Sequence, residues 1–240
     1  LQADRYDDFI RVGGQELIET IQSSYDKQGM DETMIVCRSN KQANKYNQGI
    51  RSRILWKEEE ISSGEQLMIV KNNYFWFKDD DDVDFIANGD IVELTRIIQY
   101  KDLYGFRFAK VNLKFKDSRE LDFDCWIILD TLTSETASLD RIVMREFFFK
   151  VMEDYQHVKG KKHRTDAVRE DEFFNALQVK YAYAVTCHKA QGGQWKHVYV
   201  DQGYITEDKL GREYYRWLYT AITRTSSKTH LVNFKDEFFA

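Results

Sequence analysis

Two short stretches of this chain hold the residue types that a phosphate-bearing ligand needs. The first runs Tyr183-Ala-Val-Thr-Cys-His-Lys-Ala-Gln-Gly-Gly-Gln-Trp195; the second is Leu218-Tyr-Thr-Ala-Ile-Thr-Arg224. In the first, an apolar strand-like run breaks at Thr186 into a polar turn, and ligands of open α/β sheets collect outside the carboxyl ends of strands. The Thr186 hydroxyl and His188 imidazole, with Lys189 beside them, can hydrogen-bond phosphate oxygens without reading a base. Gly192 and Gly193 allow a tight turn and close approach to a ligand, and Gln194 can hydrogen-bond a sugar hydroxyl. In the second stretch an apolar helical segment ends on Arg224. A planar guanidinium can bind two phosphoryl oxygens at once and neutralise the charge that spreads over them during transfer, which lysine does less well. Each residue also has a plainer reading: Thr186 and His188 as satisfied strand-end groups, the glycine pair as an ordinary loop, Trp195 as core, Arg224 in a surface ion pair.

A third stretch, Arg38-Ser39-Asn40-Lys41, follows the apolar run Thr33-Met-Ile-Val-Cys37 and precedes a helical pattern. Free backbone N–H groups at a helix start form a phosphate site. Ser39 or Asn40 acting only as an N-cap competes with that role and is compatible with it.

These groups need a scaffold. Leu17, Ile18, Ile21 and Tyr25 mark one helix ended by Gly29, and Ala43, Tyr46, Asn47, Ile50, Ile54 and Leu55 mark another over 42–56. Thr33 to Cys37 reads as a buried parallel strand. From Gly64 the pattern becomes short strands over 66–71, 90–98, 106–115 and 120–128, separated by turns such as Asn88-Gly89 and Lys116-Asp-Ser118. That density predicts a small antiparallel barrel. The acidic run 78–84 is a solvated excursion that should repel phosphates. Leu139, Ile142, Val143, Phe147, Val151 and Tyr155 predict a helix over 138–157, followed by a basic hairpin or loop, Val158 to Arg164, that could grip a phosphate backbone or simply be solvated. The α/β pattern then resumes with strands 181–187 and 197–201, a helix from about 206 to 222 and a strand 229–233. An α/β sheet interrupted by an inserted barrel is therefore expected.

With 240 residues, 42% hydrophobic and 15% aromatic, the chain can bury a sizeable core. No apolar run reaches the roughly 20 residues of a membrane span, and the first residues lack signal-peptide character, so a cytoplasmic location with no membrane partner is expected. A net charge of −5 excludes a protein that is basic throughout and leaves room for a local basic groove. Cys37, Cys125 and Cys187 form no CxxC pair and read as buried free thiols, with no metal site implied. Proline is absent, and nothing in the chemistry explains that.

The two motifs resemble the last two motifs of superfamily 1 helicases. The run Cys37 to Arg51 and Ile86-Ala-Asn-Gly-Asp-Ile91 resemble the RecD-like branch, the exodeoxyribonuclease V alpha-subunit type. The resemblance implies a second RecA-like motor domain, of the P-loop NTPase type, from residues 1–62 and 172–240. It implies an inserted SH3-like β-barrel over 63–171, whose helical and basic extension, 134–171, has no matching counterpart. It implies that Arg224 crosses a cleft to the γ-phosphate of ATP, an arginine finger of about 10³ to 10⁵ in rate. Gly192 and Gln194 approach the nucleotide, while Thr186, His188, Lys189, Ser39 and Asn40 hold single-stranded DNA. The family usually carries glutamate at position 194 and an aliphatic or phenylalanine at 195; here Gln194 and Trp195 depart from it.

A complete motor needs GxxxxGK[ST] and a magnesium-holding carboxylate. The only Gly-Lys in the sequence is Gly160-Lys161, continuing into Lys162-His163. The expectation is therefore the C-terminal piece of a longer helicase, inactive alone, with ATP and Mg²⁺ held mainly by an absent N-terminal RecA-like domain and no cofactor of its own. Its partners would be single-stranded DNA, that domain and, by resemblance, nuclease or helicase subunits. The alternative is a non-catalytic module, derived from a helicase, that binds nucleic acid or protein.

Overall fold

The computed structural model describes residues 6–78, 84–116, 121–206 and 210–239; most of the acidic run, 79–83, and the Asp117-Ser118 turn lie outside them. In chain order the elements are β1 (Phe9–Val12), α1 (Leu17–Gln28), β2 (Thr33–Cys37), α2 (Asn40–Arg53), β3 (Glu65–Ile69), β4 (Ile91–Leu103), β5 (Phe106–Phe115), β6 (Asp122–Ile128), α3 (Arg141–Asp154), α4 (Lys161–Arg169), β7 (Leu177–Tyr181), β8 (Ala184–Thr186), β9 (Trp195–Asp201), α5 (Arg212–Ile222) and β10 (Thr225–Val232). They form two compact units, Leu1–Glu58 with Tyr183–Ala240, and Glu59–Ala182.

The first unit is α/β. Its five strands run in the order β1-β10-β9-β2-β8, every pairing parallel. Every residue of β2 is buried, as expected for a parallel strand covered on both faces. Side chains 197, 199 and 201 of β9 share one face by strand alternation. That face meets the helices: Ser24 of α1 bonds His197 and Tyr199 at 2.8 and 2.7 Å, and Gln42 of α2 donates to Asp201 at 2.9 Å. The buried Asn47 amide clamps α2 to β8, accepting from Ala184 N at 2.7 Å and donating to Ala184 O at 3.0 Å. α5 also packs on β9, through buried Tyr214, Leu218 and Ala221.

The second unit is a closed barrel, β3-β4-β5-β6-β7. The chain turns from β4 into β5 through Tyr104 and Gly105, both at positive φ (55° and 81°), the backbone that matches hairpin twist. Two register shifts in β4 fall between Leu94 and Arg96 and between Ile97 and Gln99, and such bulges bend a strand enough to close a barrel. β6 and β7 close the ring as a parallel pair. α3 starts at Asp140, whose carboxylate accepts from Val143 N at 2.9 Å. An aromatic cluster of Phe108, Trp126, Phe147 and Phe173, with Val151 and Val168, joins barrel, α3 and α4.

Three local expectations change. The basic segment at 159–164 is not a hairpin or loop; it leads into α4, because Val168 buries itself in the aromatic cluster and fixes the helix from its far end. Ile142 is not part of the buried stripe of α3 and is 71% exposed. The apolar run 181–187 is divided, Tyr181 ending β7 in the barrel and Ala184 opening β8 in the parallel sheet.

Candidate functional site

The carboxyl ends of β2, β8 and β9 lie level with one another. Cys37 is the register partner of Thr186 on one side and of Asp201 on the other. Just beyond Cys37 the chain enters α2 through Ser39, whose hydroxyl accepts from Gln42 N at 3.2 Å as a true N-cap. Asn40 opens the helix and is half-buried, while Ser39 is exposed. The residue between, Arg38, has its guanidinium 5.9 Å from the Tyr214 ring and 5.7 Å from the Trp217 ring, so two aromatics of α5 position it. Burial pushes the Tyr214 phenol up to about 12, and the Arg38 charge opposes part of that rise.

Thr186 ends β8 half-buried, and its carbonyl accepts from Lys189 N at 2.9 Å and Ala190 N at 3.0 Å. That tight turn leaves His188 exposed and Lys189 half-buried, and burial lowers the Lys189 ammonium below its ordinary value. The turn continues to Gly192, which takes φ +89° and has no heavy atom near where a Cβ would stand, so the conformation and not crowding demands glycine there. Gly193 has the opposite reason: a Cβ on it would sit 2.3 Å from the Trp195 ring. Trp195 is 7% exposed, which makes it a core residue whose ring roofs the glycine. Gln194 is exposed.

Arg224 meets this turn directly. Its Nη1 donates to Gly193 O at 3.3 Å, its Nε to Thr220 O at 3.1 Å and its Nη2 to the Thr223 hydroxyl at 3.2 Å. Trp195 N in turn donates to Arg224 O at 3.0 Å. Three of five guanidinium N–H groups are thereby used, two remain, and the group is half-buried. The arginine is held by neutral oxygens and not by a carboxylate, so its charge is left uncompensated by these contacts. The same charge lowers the neighbouring Cys187 thiol, which burial nonetheless pushes up to about 11.

The structure thus brings together two groups on one unit: Gly192, Gly193 and Gln194 against Arg224, and Thr186 beside the Arg38-Ser39-Asn40 turn. Sequence reading missed Asp201. It is 2% exposed, and its carboxylate accepts from Gln42 Nε2 at 2.9 Å, from Gly203 N at 2.8 Å and from the Tyr46 phenol. The Tyr46 phenol is raised above its ordinary value first by burial and then by the Asp201 charge. The only signal in the sequence was an acidic residue closing an apolar strand. Cys37, Cys125 and Cys187 are buried and unpaired. Among the described residues no helix is long and apolar enough to cross a membrane, and no group of three His, Cys, Asp or Glu is placed to hold a metal ion.

Among curated proteins, none matches the chain. A similar solved structure is that of the Pif1 helicase from Candida albicans, at 12% identity and a TM-score of 0.41; the match covers 95% of this chain and 56% of that one, so the chain spans little more than half of that helicase. The family model of the UvrD-like helicase C-terminal domain matches residues 181–232. Residues 181–232, which hold both motifs, are therefore similar to the C-terminal domain of UvrD-like helicases.

Proposed function

We propose that this chain is the C-terminal motor half of an ATP-dependent DNA helicase or translocase of superfamily 1, of the RecD-like type. The parallel-sheet unit acts as the second RecA-like domain, and the barrel unit as its SH3-like insertion. One observation carries the reading: the Arg224 guanidinium is fastened to the Gly192–Gln194 turn, while the same turn begins at Thr186, level with the Ser39 helix start. A change sensed by the arginine therefore has a short covalent path to the groups that would grip a strand.

In this reading ATP and Mg²⁺ are held mainly by an N-terminal RecA-like domain. Arg224 keeps two N–H donors and an uncompensated charge for the γ-phosphate, where such charge lowers the barrier to phosphoryl transfer. The Gly192 backbone and the Gln194 side chain approach the nucleotide. Thr186, His188, Lys189 and the N–H groups behind Ser39 and Asn40 hold the backbone of single-stranded DNA without base recognition. Cleft closure around ATP and reopening after hydrolysis shift these grips along the strand.

The test uses the full-length protein with Thr186→Ala and His188→Ala, which remove the hydroxyl and the imidazole that hold the strand in this reading. Both should raise the DNA concentration that half-maximally stimulates ATP turnover and leave the unstimulated rate unchanged. Unaltered DNA dependence in both variants rejects the strand-gripping assignment.

A further inference from the structure

Beyond the grips at Thr186 and Ser39, the same sheet edge carries a cleft of about 330 Å³ lined by Gln42, Asp201, Gln202, Tyr204, Asn233 and Lys235, among others. We infer that this cleft is a base pocket: it takes one nucleobase of the single strand whose backbone lies at the Ser39 turn, with the Tyr204 ring as stacking platform. The inference rests on the strand-gripping reading above and adds a site to it.

Three features support a base as the occupant. Position is the first. Asp201 is the register partner of Cys37, and neighbouring strands lie about 4.8 Å apart, so the cleft opens about one strand spacing from the Arg38-Ser39-Asn40 turn. A base attached to a phosphate held there can reach it. The floor is the second. Asp201 and Gln202 are 2% and 3% exposed, and both are fixed, Asp201 by Gln42, Tyr46 and Gly203 N, and Gln202 by accepting from the Tyr214 hydroxyl at 2.6 Å. A buried carboxylate disfavours a phosphate inside the cleft. Carboxylate and amide groups together offer both acceptors and donors to a base edge, with no fixed pattern that selects one base. The rim is the third. Tyr204 is 90% exposed, with its π-face open to solvent, and Lys235 lines the same cleft and supplies positive charge for the adjoining phosphate. The volume is at the small end of ligand sites, suited to one ring system and not to a whole cofactor.

Binding of the 240-residue chain to a fluorescent single strand of about 12 nucleotides, within the span of a small single-strand surface, tests this at low salt. A single abasic position is moved along the strand. In the wild type one position should weaken binding about 5- to 150-fold, the cost of one lost stacking contact. Tyr204→Ala, a change at an exposed residue that leaves folding intact, should weaken the intact strand by the same factor and abolish sensitivity at that position. Lys235→Gln should reduce the slope of log affinity against log salt by about 0.7, one phosphate contact. If Tyr204→Ala binds like wild type while Thr186→Ala or His188→Ala weakens binding, the pocket is wrong and the strand reading stands. If the wild-type chain binds no single strand and DNA does not stimulate the full-length ATPase, both fall.

Discussion

His230 offers a sharp test of how this fold balances buried polar groups. It is 3% exposed, lies flat on the Tyr199 ring (4.2 Å between centroids, 7° between planes), and neither ring nitrogen has a hydrogen-bond partner. Burial first, then the nearby His197 (5.3 Å between ring centroids) and Lys228, lowers its pKa from 6.5 to about 4. The sign follows from which form the fold tolerates. An unfolded chain takes up a proton as pH falls through 6.5, while the folded chain resists until about 4, so stability is full above 6.5 and lost between 6.5 and 4. A difference of 2.5 pH units corresponds to at most about 3 kcal/mol. His230→Phe keeps the stacked ring, removes the titration and removes two unsatisfied nitrogens, each costing about 1 kcal/mol or more when buried. Against this stands a small overpacking cost, since phenylalanine is the larger ring. The expected result is a variant at least as stable as wild type at pH 7.5 and more stable by a further 2 kcal/mol or so at pH 4.8. Urea unfolding, followed by hydrogen exchange of β9 and β10 amides so that the α/β unit is read alone, measures it. Parallel acid losses in wild type and His230→Phe would refute the reasoning.

Other outcomes follow from single contacts. Asn47→Ala should cost the α/β unit about 2 to 4 kcal/mol in denaturant unfolding, because it orphans both the N–H and the carbonyl of Ala184 in the core. Gly193→Ala should impair the full-length ATPase more than Gly192→Ala, since the new methyl collides with the Trp195 ring; a partial rescue by adding Trp195→Leu would assign the defect to that collision. Asp140→Ala should destabilise α3 by about 1 kcal/mol through loss of its N-cap, read as faster amide exchange in the first turn.

Much of this was legible in the sequence because local chemistry decided it. The all-apolar run Thr33 to Cys37, the Ser39 cap and the apolar-to-polar break at Thr186 each specify their own conformation within a few residues. Four of the five barrel strands, β3 to β6, declared themselves by turns and alternation; β7, which closes the barrel parallel to β6, did not. β1 did not, since four residues with one buried side chain carry too little pattern. The division of 181–187 was also hidden: Ala182 and Tyr183 are as buried as the strands they separate, so hydrophobicity runs unbroken across the change of unit. α4 takes its stability from Val168 meeting aromatic residues far away in sequence, which no local window contains. The same holds at the site. Gly192, Gln194 and Arg224 could be named from their types, but the contact of Arg224 with Gly193 and the network of Asp201 with Gln42 and Tyr46 join residues 31 and 159 positions apart.

The central claim is that Arg224 acts on a nucleotide held by another domain. DNA-stimulated ATP turnover by the full-length protein, compared between wild type, Arg224→Lys and Arg224→Ala, measures this most directly, with nucleotide affinity determined alongside. The account predicts a loss of about 10³-fold or more in both variants at nearly unchanged nucleotide affinity. Turnover by Arg224→Ala within about tenfold of wild type would contradict it.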